Sequence, residues 1–183
     1  NRPIDYFFRS LATDQKTRAI GVVLSGTDSD GALGLKAIKG EGGIALVQAP
    51  DTAQFPDMPR SSIYADHVDR ILPPEQISTE LAVIARQFRD PAIATLAAGG
   101  PTAGEAHDLN RILGQLRSVS GIDFRLYKPS TIRRRVARRM MLQRVRSFKE
   151  YSALLQANPK ELRDLQEDAL INVTRFFRDP GVY

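Results

Sequence analysis

Three stretches of the chain hold side chains whose types and spacing could do chemistry. The first is Ser25-Gly26-Thr27-Asp28-Ser29-Asp30-Gly31. It closes a continuous apolar run that starts at Ala19, and it precedes a helical pattern through Leu33, Leu35, Ala37 and Ile38. Ligands and catalytic groups of open α/β sheets gather where a strand ends in this way. Three roles compete for the loop. Asp30 or Ser29 could simply accept the first N–H groups of the following helix, with Gly31 easing a tight turn. Asp28 and Asp30 could be hard oxygen ligands for Mg²⁺, although the further oxygen position and terminal Glu of an EF-hand loop are missing. Asp30 could instead be the carboxylate of a Ser-His-Asp hydrolase, holding an imidazole in the required tautomer. That role needs a serine and a histidine from elsewhere, because the chain contains no Gly-x-Ser-x-Gly elbow. Its two histidines, His67 in a loop before a short strand and His107 at a helix start, read as ordinary solvated or satisfied side chains.

The second stretch runs from Ile132 to Arg146 and contains seven arginines and no acid. The spacing predicts a helix over 130–146, about 25 Å long. At about 100° per residue, Ile132, Val136 and Met140 share one arc, and Arg134, Arg135, Arg138, Arg139 and Arg146 share another. One side is expected to pack and the other to meet an anionic partner, since a face that is merely solvated ordinarily mixes its signs. Guanidinium groups suit bidentate recognition of carboxylate or phosphate. Only Gln143 could read a base edge and no aromatics interleave, which favours an acidic protein surface over nucleic acid.

The third stretch is Ile171-Asn172-Val173-Thr174-Arg175-Phe176-Phe177-Arg178-Asp179-Pro180. It reads equally well as the end of one helix and the capped start of the next, or as amide, hydroxyl and guanidinium groups that clamp a carboxylate-bearing ligand beside two aromatics.

The elements that must position these groups fall into two halves. Residues 1–89 hold 10 basic and 11 acidic side chains, and residues 90–183 hold 16 and 10. The charge step coincides with a stretch of small residues, Gly and Pro over 90–106, read as a linker. Upstream, the apolar run from Ala19, the helical pattern, the glycines at 40, 42 and 43 and a second run at Ile44 to Val47 form a βαβ unit of a parallel sheet. A short strand at Val68 to Leu72 and a helix opening at Pro73-Pro74-Glu75 would finish that domain. Downstream the period is helical, with helices at about 108–119 and 130–146. Ser147 with Glu150 forms a capping box, and Asn158 before Pro159 starts a further helix. The expected fold is an α/β part at 1–89 followed by a small all-α bundle at 107–183. No cysteine occurs, which excludes a disulfide framework and a thiolate nucleophile and suits a reducing cytoplasm. The apolar runs are far shorter than the ~20 residues that a bilayer requires, so direct membrane insertion is not expected.

At these residues the chain resembles two families joined head to tail, the chemotaxis receptor methylesterases (CheB) and the chemotaxis receptor methyltransferases (CheR). Arg2-Pro3-Ile4-Asp5, Phe8-Arg9-Ser10, Gly21 to Gly26, Ser29-Asp30-Gly31-Ala32 with Gly34, and Met58-Pro59-Arg60-Ser61 are similar to the methylesterase pattern. Lys128-Pro129-Ser130-Thr131, the arginine-rich helix, Phe148-Lys149-Glu150-Tyr151 and Asn172-Val173-Thr174-Arg175-Phe176-Phe177-Arg178-Asp179 resemble the N-terminal helical domain of the methyltransferases.

The resemblance implies that Asp30 is the acid of a Ser-His-Asp triad whose serine and histidine belong to an earlier segment. It implies that Asn172, Thr174 and Arg178 lie around S-adenosylmethionine. It also implies that Arg133, Arg134, Arg135, Arg138 and Arg139 dock on the acidic, glutamyl region of a methyl-accepting chemotaxis receptor. On this reading the chain is the end of a methylesterase domain and the truncated head of a methyltransferase, inactive alone. A non-catalytic receptor-docking adaptor and a basic nucleic-acid-binding module are the alternatives. Gly26-Thr27-Asp28 stands where the methylesterases have Gly-Met-Gly or Gly-Thr-Gly, so Asp28 is expected at a backbone position of positive φ.

Overall fold

Pro3 at the first helical position and Asp5 in the first turn are residues that favour a helix start, and they open α1 (Pro3–Gln15). In the computed structural model, which describes residues 2–91 and 102–171, this helix belongs to the first of two compact units, divided between Arg86 and Gln87. Phe8 and Ala12, four apart, are buried, whereas Tyr6 and Phe7 are exposed. Those exposed aromatics blur the helical period, which is why this helix was not foreseen from the pattern.

Three parallel strands follow in the spatial order of the sequence: β1 (Ile20–Val23), β2 (Ile44–Gln48) and β3 (Arg70–Leu72). Ile20 stands opposite Ile44, and Leu46 opposite Arg70. The middle strand is buried at every position, as an unbroken apolar run requires when both faces are covered. The crossover from β1 to β2 is α2 (Ala32–Gly40), whose Leu35 and Ile38 are fully enclosed. Each such side chain contributes roughly 1.5–3 kcal/mol by leaving water. α3 (Asp57–Tyr64) leads to β3, and α4 (Pro74–Phe88) follows it. β1 and β3 are each shorter than the stretches, from Ala19 and from Val68, that announced them. Phe8, Ala12, Val23, Leu35, Ile38, Ala45 and Val47 belong to a single core cluster. α1 and α2 meet closely at Gly34, where a Cβ would stand 2.5 Å from the Cβ of Phe8.

The second unit is helical, and among the described residues it has four α-helices. α5 (Ala103–Ser120) starts inside the stretch read as a linker. Thr102 Oγ1 accepts from the Glu105 N–H at 3.3 Å, and Glu105 Oε2 accepts from the Thr102 N–H at 2.8 Å, a complete capping box. Gly121, at φ 70°, ends the helix. α6 (Pro129–Leu142) is shorter than expected, and Arg144 at φ 59° turns the chain away from it. α7 (Phe148–Ala157) is capped by Ser147 Oγ, which accepts from the Glu150 N–H at 3.2 Å. The Glu150 carboxylate reaches back to the Arg146 N–H rather than to Ser147. α8 (Pro159–Leu170) is capped by Asn158, whose Oδ1 accepts from the Lys160 and Glu161 N–H groups. Leu109, Ile112 and Leu116 of α5, Val136 and Met140 of α6, Phe148 and Tyr151 of α7 and Leu165 of α8 share one core. The fold class is therefore an α/β part followed by an all-α bundle.

Candidate active site

Asp30 lies just before α2 and is 6% exposed. It does not cap its own helix: Gly31 holds that N-cap position without a side-chain bond. Its carboxylate turns to α1, where Oδ2 accepts from the Ile4 N–H and Oδ1 from the Asp5 N–H, both at 2.9 Å. These are two of the N–H groups that a helix start leaves without intrahelical partners. Asp5, 2% exposed, returns the arrangement. Its Oδ1 accepts from the N–H of Gly31 at 3.0 Å and of Gly34 at 2.7 Å, at the start of α2. Asp30 thus caps α1, the helix that contains Asp5, and Asp5 caps α2, the helix that follows Asp30. Arg2 spans the rim, 3.4 Å from Asp5 Oδ2 and donating to Ser29 Oγ at 3.2 Å.

Burial works to raise the pKa of Asp30. The N–H groups of Ile4, Asp5 and Gly31, with the charge of Arg2, outweigh it and hold the carboxyl below its ordinary value of 3.8. The group is ionised at neutral pH and fixed in direction. A carboxylate has about four lone-pair sites, so these three N–H groups still leave one for an imidazole N–H.

The rest of the loop is held to the segment before α3. Gly26 donates to Phe55 O at 2.8 Å, and Met58 donates to Gly26 O at 3.0 Å. Ser25 Oγ accepts from the Phe55 N–H at 2.9 Å, and the Ser25 N–H donates to Gln48 Oε1 at the end of β2. A Cβ on Gly26 would overlap the Met58 thioether, so a larger residue there would make that flexible side chain move. Segments that are far apart in sequence, around Asp5, Gly26, Asp30 and Met58, thereby converge near the carboxyl end of β1. The expected positive φ at Asp28 is not found. Among the described residues the non-glycine positions with positive φ are Lys16, Asp66 and Arg144, and the left-handed position of the loop falls on Gly31, at φ 97°. Asp28 is exposed and its Oδ1 accepts from the Ser29 N–H.

His67 is half-buried between α3 and β3. Burial first, then the charges of Lys36 and Lys39, lower its pKa from 6.5. Those lysines lie toward the end of α2 opposite Asp30, so His67 is not brought to the carboxylate. His107 is on an exposed position of α5.

The arginine helix differs from its expected pattern. Arg135, Arg138 and Arg139 were placed on a cationic outer arc, but all three are buried, as is Arg133, and Arg134 is half-buried. Arg146 lies beyond the helix end. α6 packs on α8, whose acids at 161, 164 and 168 recur at helical spacing and meet the guanidinium groups. Arg138 pairs with Asp168, and both are enclosed. Arg139 donates its Nε to Glu161 Oε1 at 2.9 Å, makes a second bond to Glu161 Oε2, and reaches Asp164 at 3.1 Å. Tyr151 Oη at 2.7 Å and Gln143 Nε2 also donate to Glu161. Burial opposes the charge of Arg139, and Glu161 outweighs it, so its pKa is raised. Burial and the Glu161 charge raise that of Tyr151. Glu161 and Asp168 were missed because the leucine stripe of α8 drew attention to its apolar positions. Asn172, Thr174 and Arg178 lie outside the described residues.

Comparison with known proteins divides the chain in the same way. Residues 1–81 match the family model described as CheB methylesterase, and residues 107–170 match that of the CheR methyltransferase all-alpha domain. An uncharacterized 104.1 kDa protein in the hypE 3′ region of Rhodobacter capsulatus is 38% identical over a 199-residue alignment, which covers 99% of this chain and 21% of that protein. Protein-glutamate methylesterase/protein-glutamine glutaminase 1 of Geobacter sulfurreducens is 39% identical over 79 residues, 43% of this chain and 22% of that enzyme. The protein-glutamate methylesterase/protein-glutamine glutaminase of group 3 operon of Rhizobium meliloti is 38% identical over 86 residues, 47% of this chain and 24% of its own length. The chain thus spans about a quarter or less of each of these three relatives. No solved structure matches it. No described helix is long and apolar enough to cross a membrane. The two family matches, each confined to one structural unit, assign the first unit to the CheB methylesterase family and the second to the all-alpha domain of the CheR methyltransferases, fused in one chain.

Proposed function

We propose that the protein carrying this chain is a bifunctional chemotaxis receptor-modifying enzyme, a protein-glutamate methylesterase and an S-adenosylmethionine-dependent protein-glutamate O-methyltransferase acting in the cytoplasm. The observation that carries the first activity is the buried, ionised and oriented carboxylate of Asp30 at the carboxyl edge of the parallel sheet. A triad acid must be charged at neutral pH and fixed in direction, so that it selects one imidazole tautomer and stabilises the imidazolium. The serine and histidine would come from a part of the protein outside these 183 residues. The histidine would take the serine proton as its oxygen attacks the glutamyl ester carbonyl. Methanol would leave with that proton, and water would release the glutamate carboxylate from the acyl-enzyme.

For the second activity, S-adenosylmethionine supplies the methyl group when bound. The amide of Asn172, the hydroxyl of Thr174 and the guanidinium of Arg178 are a donor set suited to its methionyl carboxylate or to the acceptor glutamate. The substrate would be the glutamyl, acidic helical region of a methyl-accepting chemotaxis receptor, met by the arginine helix. Arg134, half-buried near the start of α6, is the favoured contact, since Arg133 and Arg135 are buried. Arg138 and Arg139 would hold the helix in place through α8.

The test uses the protein with complete CheB and CheR parts. A methylated receptor fragment should release methanol, and an unmethylated one should take up label from methyl-labelled S-adenosylmethionine. Failure of both reactions would overturn the proposal.

A further inference from the structure

Asp5 is buried and placed by no part of the catalytic proposal, yet its N–H and its Oδ1 bond to Asp30 and to the backbone just after it. Its N–H donates to Asp30 Oδ1 at 2.9 Å. Its Oδ1 accepts from Gly31, the residue after Asp30, at 3.0 Å, and from Gly34 one turn on, at 2.7 Å. Gly31 sits at φ 97°, and a Cβ there would come within 3.0 Å of Ile4 Cγ2. The other oxygen of Asp5 faces Arg2, which also holds Ser29.

We propose that Asp5 is the positioning residue of the esterase site: it clamps the loop on both sides of the Asp30 carboxylate and so sets the direction in which Asp30 meets the histidine. This rests on reading Asp30 as the triad acid. A carboxyl at residue 30 could satisfy the start of α1 in several orientations if only α1 constrained it. The return bonds from Asp5 to the backbone of α2 leave one. The pair also explains why an acid, and not merely a helix-capping serine, stands at position 5. One side-chain oxygen must accept two N–H groups while the other balances Arg2.

The test measures ester hydrolysis by the protein with its complete CheB part on a peptide containing glutamyl γ-methyl ester. Rates are expressed per active serine counted with a fluorophosphonate probe. Asp5→Ala should lower kcat about 10- to 100-fold, with KM within about twofold. Asp5→Asn keeps an oxygen for Gly31 and Gly34 and should restore kcat to within about threefold of the wild type. Asp5→Glu keeps the charge but displaces the acceptor by a methylene, and it should remain impaired; it carries the test if Asp5→Ala does not fold. Asp30→Ala, measured alongside, separates the two ideas. If Asp30→Ala loses activity while Asp5→Ala or Asp5→Glu keeps wild-type kcat per active serine, the positioning role is overturned and the triad reading stands. If Asp30→Ala keeps wild-type kcat, both are overturned.

Discussion

Asp5 and Asp30 cap each other's helices: the Asp30 carboxylate accepts from the first turn of α1, and the Asp5 carboxylate accepts from the first turn of α2. Two buried carboxyl groups lie close together there. They are tolerable because each faces the positive end of a helix and Arg2 stands at the rim. The same exchange fixes the crossing of the two helices and the direction of the candidate triad acid.

This geometry predicts an acid-sensitive first unit. The folded pKa of Asp30 lies below its ordinary 3.8, so the folded state binds that proton less readily than the unfolded state. Its contribution is complete well above 3.8 and is lost as the pH falls through the lower folded value. Thermal unfolding followed from about pH 5 downward should show a falling midpoint, and the fall should be shallower in Asp30→Asn. Asp123 of the second unit, held down to about 2 by Arg125, contributes in the same direction in both proteins and cancels in the comparison. Equal slopes would contradict the assignment.

The helix crossing predicts strict demands at two glycines. Gly34→Ala places a methyl 2.5 Å from Phe8 Cβ and 3.1 Å from the Asp5 backbone, and should destabilise the first unit by about 1–3 kcal/mol in denaturant titration. Gly31→Ala adds the left-handed backbone cost of about 1–2 kcal/mol. A neutral outcome for Gly34→Ala would mean that α1 and α2 do not pack as described.

In the second unit, Asp168→Ala removes the carboxylate paired with the buried Arg138 and should cost about 3–5 kcal/mol. Replacing the pair together, Arg138→Met with Asp168→Leu, should recover most of that loss, because the desolvation of both charges is removed as well. Calorimetry of the two variants distinguishes a buried pair from a surface pair, for which Asp168→Ala would change little.

Receptor binding should separate the arginines. Arg134→Ala is expected to weaken binding to a receptor fragment several-fold, an effect that fades as salt rises, with no change in melting temperature. Arg138→Ala should instead unfold the second unit. An Arg134→Ala protein that binds as tightly as the wild type at low salt would remove that residue from the contact.

Much of this was legible in the residues. The unbroken apolar runs at β1 and β2, the glycines between them and the Ser147 and Asn158 caps announced strands and helix starts because each rests on local chemistry. The capping box at Thr102 went unread, since the small residues after it resemble a linker while the Thr–Glu spacing marks a helix. Asp5 went unread as a structural partner because its role depends on a residue 25 positions away. The arginine arc failed for a related reason. A helical wheel assigns one inward face, whereas α6 is covered nearly all round and finds its counter-charges on α8.

The central claim is that Asp30 is the acid of an esterase triad. Its most direct test is methanol release from a methylated receptor fragment by the protein with its complete CheB part, wild type against Asp30→Asn, per active serine. Asp30→Asn keeps an oxygen acceptor for α1 but favours the wrong imidazole tautomer, so kcat should fall by as much as about 10⁴-fold with the fold intact. A wild-type kcat in a correctly folded Asp30→Asn protein would contradict the account.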